Sequence, residues 1–492
     1  QRHQGPSPDT RGWVFFCPNE PPACGQSTNQ AMQAPFDIAA DLDTPVSAFL
    51  KLKSLKPRFL LESVEGGERL ARYSFLGFGA ALEIRMDGES LTVDGNIESR
   101  PTSQATYLDA LRKALALAPR PKPEVPGLPF TGGLVGVSGY DVVRLFERLP
   151  QNTTPQAAVP DAAFVAPASL LVFDHLTRRI ALLHDGPEYE RQRLRNDVRD
   201  CLRAAVPESP AKVTTTEPEG SLTEAEFCER VDACKEHIAA GDIYQIVLSV
   251  LFRGRSDVPP FEVYRAMRLI NPSPYMFYFD FDELKVVGSS PEALVKLNGT
   301  TASLRPIAGT LPRGATPADD QANEEALLAD PKEAAEHVML VDLARNDLGR
   351  VAKAGSVHVN PYRSIERYSH VMHIVSGVEG EIDEHFDQFD LLAATFPAGT
   401  LVGAPKVRAM EIIEDMEQVG RGLYAGTAGY FGNTGDMDQA ITIRTLVFSG
   451  DEYSFQAGAG IVADSVPDKE YQEVLAKSAI LRRALQLAGE GI

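Results

Sequence analysis

Residues 330–347, DPKEAAEHVMLVDLARND, set Glu333, Glu336, His337 and Asp342 on what reads as one helix. Asp330 suits the N-cap, Pro331 the first helical position, and Glu333 completes a D-x-x-E capping box, with Gly349 as the stop. Capping explains Glu333 without chemistry. It leaves Glu336 and His337, just ahead of an apolar run, unexplained. A second helix repeats the spacing: in SVPDKEYQEVLAKSA, Glu470 and Glu473 share a face, and Lys477 lies one turn beyond Glu473. Carboxylates brought together from two helices repel unless a cation sits between them. One or two carboxylates, waters and an anionic substrate are the usual surroundings of Mg²⁺. The competing reading is two solvated faces joined by i,i+4 pairs.

Other segments point to an anion. FPAGTLVGAPKVRAMEII places Gly399, Thr400 and Gly403 before a helix that opens at Pro405, where free amides and the helix dipole favour a carboxylate or phosphate. QAGAGIVADS ends an apolar strand with Gly458, Ala459 and Gly460, whose N–H groups suit a nest. Arg444 is a single charge inside the strand pattern QAITIRT. It is either a snorkelling edge residue or the partner of a substrate carboxylate, to which Tyr424 can also donate. His370 and His373 fall on opposite faces of a strand, so one is free to be structural and the other functional. A histidine beside a departing hydroxyl suits general acid work.

These side chains must be carried by a large α+β scaffold. Strand patterns such as SFLGFGAALEIRM, SLTVDG, YMFYFDF, ALVKLNG, QAITIRTLVFSG and EYSFQAGAGIVAD follow one another through hairpin-like turns. Helices fall in separate blocks, at 105–118, 188–206, 224–240, 322–348, 384–395, 405–416 and 468–489. Such blocks predict largely antiparallel sheets forming a β-sandwich flanked by helices. PESPAKVTTTEPEGS, residues 207–221, reads as a linker between an N-terminal domain over 32–206 and a C-terminal domain over 222–492. Residues 1–31 lack periodicity and a signal-peptide pattern, and read as a disordered extension. The net charge of −20 disfavours nucleic acid or an anionic membrane as the main partner. No apolar run approaches the roughly 20 residues that span a bilayer. Five scattered cysteines suit a reducing, cytoplasmic setting without disulfides or zinc.

Taken together, DLARNDLGRV, GTLVGAPKVRAMEII, RPIAGT, GSSPE and AGAGIVADS resemble the chorismate-utilising enzymes over roughly 222–487. LLESVEGGERLARYSFLG and GGLVGVSGYD resemble the N-terminal region of the amino-transferring members. The resemblance implies that Glu336 and Glu473 bind Mg²⁺, which holds the ring carboxylate of chorismate, with Glu333 and Glu470 flanking it. It implies Tyr424, Arg444 and the Gly458, Ala459 and Gly460 backbone at the enolpyruvyl carboxylate. Gly309, Thr310, Thr400 and Lys477 also fall at substrate positions. His373 rather than His370 matches the catalytic histidine, and Glu333 is the expected base.

Two positions point to one branch. Water-adding members carry a lysine where this chain has Gln245, and members that attack the ring covalently read PIKGT where this chain reads PIAGT, with Ala308. Direct attack by ammonia at C2, which yields anthranilate and pyruvate, is the route left. Its alternative is the aminodeoxychorismate-forming branch of folate biosynthesis. No cysteine sits in a glutaminase elbow, so by resemblance ammonia comes from glutamine through a separate amidotransferase subunit. LLES and NPSPYMF resemble the two halves of a tryptophan feedback site. Glu62, Ser63, Pro274, Tyr275 and Met276 are expected to contact the inhibitor, and Arg72 resembles a basic residue of that region. Two rivals fit less well. A diphosphate lyase would be all-helical, and a catalytically dead binding module would be expected to lack one of Glu336, His373, Arg444 or Glu473.

Overall fold

The structure is a computed structural model that describes residues 35–492 apart from 66–68, 71, 157–158, 209–212 and 368–370. The expected extension over 1–31, His370 and part of 60–77 therefore lie outside the described residues. Helices and antiparallel strands build the α+β architecture expected of the sequence. Among the described residues one ladder joins 21 strands. Its side chains alternate between two apolar cores with the strand period of two. Phe59 and Phe75 enter one core, Leu60 and Leu76 the other. Both faces are therefore buried, and the amphipathic helices cover what the strands leave open.

The ladder crosses the expected domain boundary. Strand Pro57–Glu62 pairs with Tyr275–Phe281, and Gly133–Ser138 with Thr427–Gly432. The regions 32–206 and 222–492 thus share a sheet and a core instead of each closing its own. Part of the expected linker joins the same ladder. Glu219–Gly220 pairs with Gln245–Arg255, and Thr215 bridges Ser256. A composition poor in apolar side chains does not stop backbone groups from pairing along a strand edge.

Several expectations for the site's carriers change. The helix expected over 322–348 is two, Pro317–Ala329 and Pro331–Gly349. Pro331 forces Asp330 into an extended conformation and breaks the run. Asp330 does cap the second helix, accepting from Lys332 N at 2.8 Å and Glu333 N at 3.1 Å. Its own N–H, however, donates to Ala326 O, so Glu333 does not close a capping box. Gly349 is the last helical residue, followed by right-handed Arg350, so it is not a left-handed stop. The later helices are Gln388–Thr395, which opens four residues after the expected start, then Lys406–Met416 and Pro467–Glu490.

QAITIRT is not one strand. Met437–Ile441 and Thr445–Ser449 are separated by a turn in which Arg444 takes φ +49°. Gly458, Ala459 and Gly460 run extended within Glu452–Ile461, opposite Ser249, Leu248 and Val247. They do not form the expected nest.

Candidate active site

The acidic helix Pro331–Gly349 packs on strand Ile307–Pro312, which pairs with the histidine strand Val371–Val375. A bulge at Gly309 interrupts that pairing between Ala308 and Thr310. Gly309 has φ +70°, and a Cβ there would sit 2.9 Å from Glu333 Oε2. Only glycine meets both demands. The bulge turns the Gly309 carbonyl toward His373 Nδ1, at 3.0 Å, with Thr310 Oγ1 also at 3.0 Å. Because a carbonyl can only accept, Nδ1 carries the proton and Nε2 the lone pair.

From this corner the contacts close into a ring. Glu333 and Glu336 lie one helical turn apart. Glu336 feels the charges of Glu333 and Glu473, and Gln245 lies close enough to act on its carboxylate. Glu473 pairs with Lys477 at 2.7 Å, and Lys477 Nζ donates to Gly458 O at 3.0 Å. Gly458 lets the Tyr424 hydroxyl approach to 2.7 Å of where a Cβ would be. On the remaining side Lys477 and Arg444 both act on Glu292, to which Thr400 donates at 2.9 Å, and Arg444 also acts on His373. The sequence-predicted residues on the two helices, the Thr400 loop and the His373, Tyr424 and Arg444 segments therefore surround one space. His337 and Asp342 do not join them. His337 turns inward to Ser376 Oγ at 2.6 Å and is pushed down to about 4 by burial, and Asp342 pairs with Arg345 on the surface.

Charge in this space is unbalanced at both ends. Burial and the neighbouring carboxylates raise the Glu336 pKa. Among the described residues no three ligand side chains converge. Two carboxylates from facing helices, with the remaining positions left to water and substrate oxygens, fit a hard, hydrated divalent ion. Arg444, part-buried, has no ion-pair partner within 4 Å among the described residues, and burial lowers its pKa. Glu292, between strands Leu284–Ser290 and Ala293–Asn298, rises from 4.5 to about 7, with burial as the main cause and the Thr400 bond, Lys477 and Arg444 opposing it. His373 is lowered by burial and by Arg444. Near neutral pH the site thus offers a half-protonated carboxylic acid and a neutral imidazole.

Glu292 and the support beneath the site were not singled out from sequence. Glu292 closes the quoted GSSPE; a lone carboxylate between two apolar strands was the available signal. Arg421 is 2% exposed. It donates to Leu401 O at 2.7 Å, Val247 O at 2.8 Å and Glu417, and lies 5.6 Å from the Tyr424 ring centroid. It ties the Thr400 loop, the strand facing Gly460 and Tyr424 together.

The expected inhibitor segments also meet. Met276 stands opposite Glu62 in the ladder, and Val64 N donates to Ser273 O at 3.0 Å. Ser63 Oγ is buried and has no hydrogen-bond partner among the described residues. Two of these residues already have protein partners. Glu62 already accepts from Tyr264 at 2.5 Å and from Arg268 at 3.1 Å. Tyr275 faces away from Met276, as strand alternation requires, and its hydroxyl reaches Asp438 at 3.1 Å. Pro274 precedes that strand, and Arg72 pairs with Asp174.

This arrangement has known counterparts. Residues 56–483 match the family model described as chorismate binding enzyme. The chain belongs to the chorismate-binding enzyme family. Within it, the chain is 45% identical over 472 residues to anthranilate synthase component 1 of Aquifex aeolicus, covering 92% of this chain and 94% of that one. The crystal structure of anthranilate synthase component I from Streptococcus pneumoniae superimposes with a TM-score of 0.76 at 33% identity, covering 90% of this chain and 99% of that one. The menaquinone-specific isochorismate synthase of Escherichia coli, at 21% identity and TM-score 0.67 over 91% and 92% of the two chains, shares the fold. Among the described residues no helix is long and apolar enough to cross a membrane.

Proposed function

We propose that the chain is an anthranilate synthase component I, a lyase that combines chorismate with ammonia to give anthranilate, pyruvate and water in tryptophan biosynthesis. The observation that carries the branch is the placement of Gln245, whose Nε2 would lie 3.1 Å from a Cβ on Gly460 and which acts on Glu336 at the carboxylate end of the site. A neutral amide there has no base with which to activate water. Ala308, 7% exposed beside the bulge, offers no nucleophile for a covalent route.

Glu336 and Glu473 would hold Mg²⁺, which would supply positive charge to fix and screen the ring carboxylate. Arg444, Tyr424 and the backbone beside Gly458 bind the enolpyruvyl carboxylate at the other end. As the ammonia nitrogen bonds to C2, the C4–O bond breaks and Glu292 gives its proton to the leaving hydroxyl, which departs as water. This revises the role expected of His373. A neutral ring whose Nδ1–H is spent on Gly309 accepts a proton at Nε2 and does not supply one. Glu333, freed from capping, takes the C2 proton, the C3–O bond breaks, and the ring becomes aromatic as enolpyruvate leaves and takes up a proton at its methylene carbon to become pyruvate, balancing the proton that the new ammonium group gives up.

Ammonia would reach this site from glutamine through an amidotransferase subunit. Cys234 and Cys228 do not resemble an activated nucleophile: burial pushes the Cys234 thiol up to about 12, and Cys228 is also raised. The orphaned Ser63 hydroxyl and the adjoining Met276 support a tryptophan feedback site. The test is product analysis with the purified chain, chorismate, Mg²⁺ and either ammonium or glutamine. Anthranilate should form with ammonium, and with glutamine only after an amidotransferase is added. Isochorismate or salicylate made without an amine would overturn the reading of Gln245, and accumulation of 4-amino-4-deoxychorismate that of Ala308.

A further inference from the structure

Arg421 is a full charge in the core that no step of the reaction uses. Its counter-ion is Glu417, which accepts from Nε at 3.0 Å and from Nη2 at 2.7 Å. Glu417 also accepts from the Ser249 N–H at 3.0 Å and the Ser249 hydroxyl at 2.7 Å. The rest of the guanidinium reaches backbone: Nη1 donates to Leu401 O and Nη2 to Val247 O. For stability alone, well-packed apolar side chains of similar volume often serve as well as a buried ion pair. The placement of these contacts supplies a different reason for it.

Each contact ends beside a group that faces the substrate. Leu401 closes the turn Gly399–Leu401, which carries Thr400. Ser249 and Val247 stand opposite Gly458 and Gly460 in the ladder. The Arg421 carbonyl accepts from the Tyr424 N–H at 3.0 Å. The guanidinium carbon lies over the rings of Tyr140 and Tyr424, 5.0 and 5.6 Å from their centroids. A planar guanidinium can stack on rings while its edge bonds a carboxylate and two carbonyls. A lysine ammonium, a point charge, cannot do all of this at once.

We infer that Arg421 is a positioning residue whose guanidinium fork holds Tyr424 against the enolpyruvyl carboxylate and Thr400 against Glu292, so that one side chain sets both the binding of the substrate and its acid. Both halves rest on the roles proposed above, and the test separates them. Glu292 reports on the Thr400 half. Thr400, Lys477 and Arg444 face it, and all three oppose the upward push of burial. If the Thr400 turn slips, the carboxylate loses a donor and Glu292 keeps its proton to a higher pH.

Arg421→Lys keeps the charge beside Glu417 and loses the fork. The test measures chorismate binding by calorimetry, with Mg²⁺ and without ammonia, and the pH profile of kcat/KM at fixed free NH₃. It compares the wild type, Arg421→Lys, Tyr424→Phe, Thr400→Val and the two doubles that contain Arg421→Lys. Arg421→Lys should weaken chorismate binding by about tenfold and move the decline of kcat/KM upward by about one pH unit, the worth of one hydrogen bond to a charged group. Added to Tyr424→Phe it should weaken binding by less than about threefold further. Added to Thr400→Val it should leave the decline where Thr400→Val puts it, because residues that act through one another are not additive. Should Arg421→Lys fail to fold, Arg421→Met with Glu417→Gln leaves neither charge buried alone and carries the same expectations.

Unchanged binding and an unchanged profile in a folded Arg421 variant would reduce the residue to a support of the fold. Full additivity with Tyr424→Phe and Thr400→Val would place its action elsewhere and equally overturn the inference. A wild type whose kcat/KM does not decline above pH 7 would refute the acid role of Glu292 and with it the Thr400 half, while calorimetry with Tyr424→Phe still decides the other.

Discussion

Replacing Glu292 by glutamine separates stability from catalysis at one atom. The glutamine side chain keeps the shape and an oxygen to accept from Thr400, and it removes the proton and the charge. In the fold the carboxyl titrates near 7 against an ordinary 4.5. A carboxyl whose folded pKa is raised binds its proton more tightly folded than unfolded. Its effect on stability is therefore neutral below about pH 4.5, turns unfavourable as pH rises from there to 7, and stays at its full cost above. The 2.5-unit difference corresponds to roughly 3 kcal/mol at about 1.4 kcal/mol per unit. The residue is only part-buried, so that figure is an upper bound.

Glu292→Gln should consequently melt at about the wild-type temperature near pH 4.5, and several degrees above it at pH 8.5. Its kcat should fall by about 10²- to 10⁴-fold at pH 7, the usual worth of a general acid. In the wild type, kcat/KM for chorismate, measured at a fixed concentration of free NH₃, should decline above pH 7 as Glu292 loses its proton. Calorimetric melts across pH 4.5–8.5 and anthranilate fluorescence provide both readouts. A stability difference that does not change with pH would refute the raised pKa, and a variant retaining more than about a tenth of the activity would refute the acid role.

Three further outcomes follow from the same geometry. Glu336→Gln and Glu473→Gln should each abolish turnover while leaving the melting temperature within a few degrees; turnover that persists in EDTA would remove the metal from the site. Ser63→Phe should fill the space beside the orphaned hydroxyl and relieve tryptophan inhibition without loss of anthranilate formation, as an inhibition curve will show. Gly309→Ala should cost about 1–2 kcal/mol for a left-handed non-glycine residue and, by displacing Glu333, lower kcat more than it raises KM; unaltered kcat would mean that Glu333 takes no part in the reaction.

Much of the scaffold was legible because each element carries its own signal. Helix Glu224–Ala240 has a Thr223 cap and a left-handed Gly241, and Tyr275–Phe281 is an apolar run interrupted only by Asp280. What was not legible depends on partners distant in sequence. Nothing within 207–221 says that Glu219–Gly220 will pair with Gln245–Arg255. The resemblance set LLES and NPSPYMF in one site, but nothing within 60–65 says that Pro57–Glu62 will pair as a strand with Tyr275–Phe281 and join the two halves into one ladder. A composition break marks where a chain changes character, and it carries no information about which backbone groups later find each other.

The site shows the same division more sharply. The residue types were readable, because two E-x-x-E helices, a buried arginine and a histidine have few uses in one chain. Their states were not. Glu333 looked like a cap until Asp330's N–H was found bonded to Ala326, which leaves that carboxylate for the site. His373 looked like an acid; the Gly309 bulge fixes its proton on Nδ1, and burial raises Glu292 to about 7, which is the basis for proposing Glu292 as the donor. Arg444 looked like a strand residue, and it owes its position to the interruption of the strand. A regular QAITIRT strand would pair its backbone along the ladder and hold the arginine on one face. The break at residues 442–444 trades that pairing for a left-handed Arg444, a conformation a non-glycine residue keeps only while its surroundings enforce it, and the Ser289 N–H on the Arg444 carbonyl is one contact that does so.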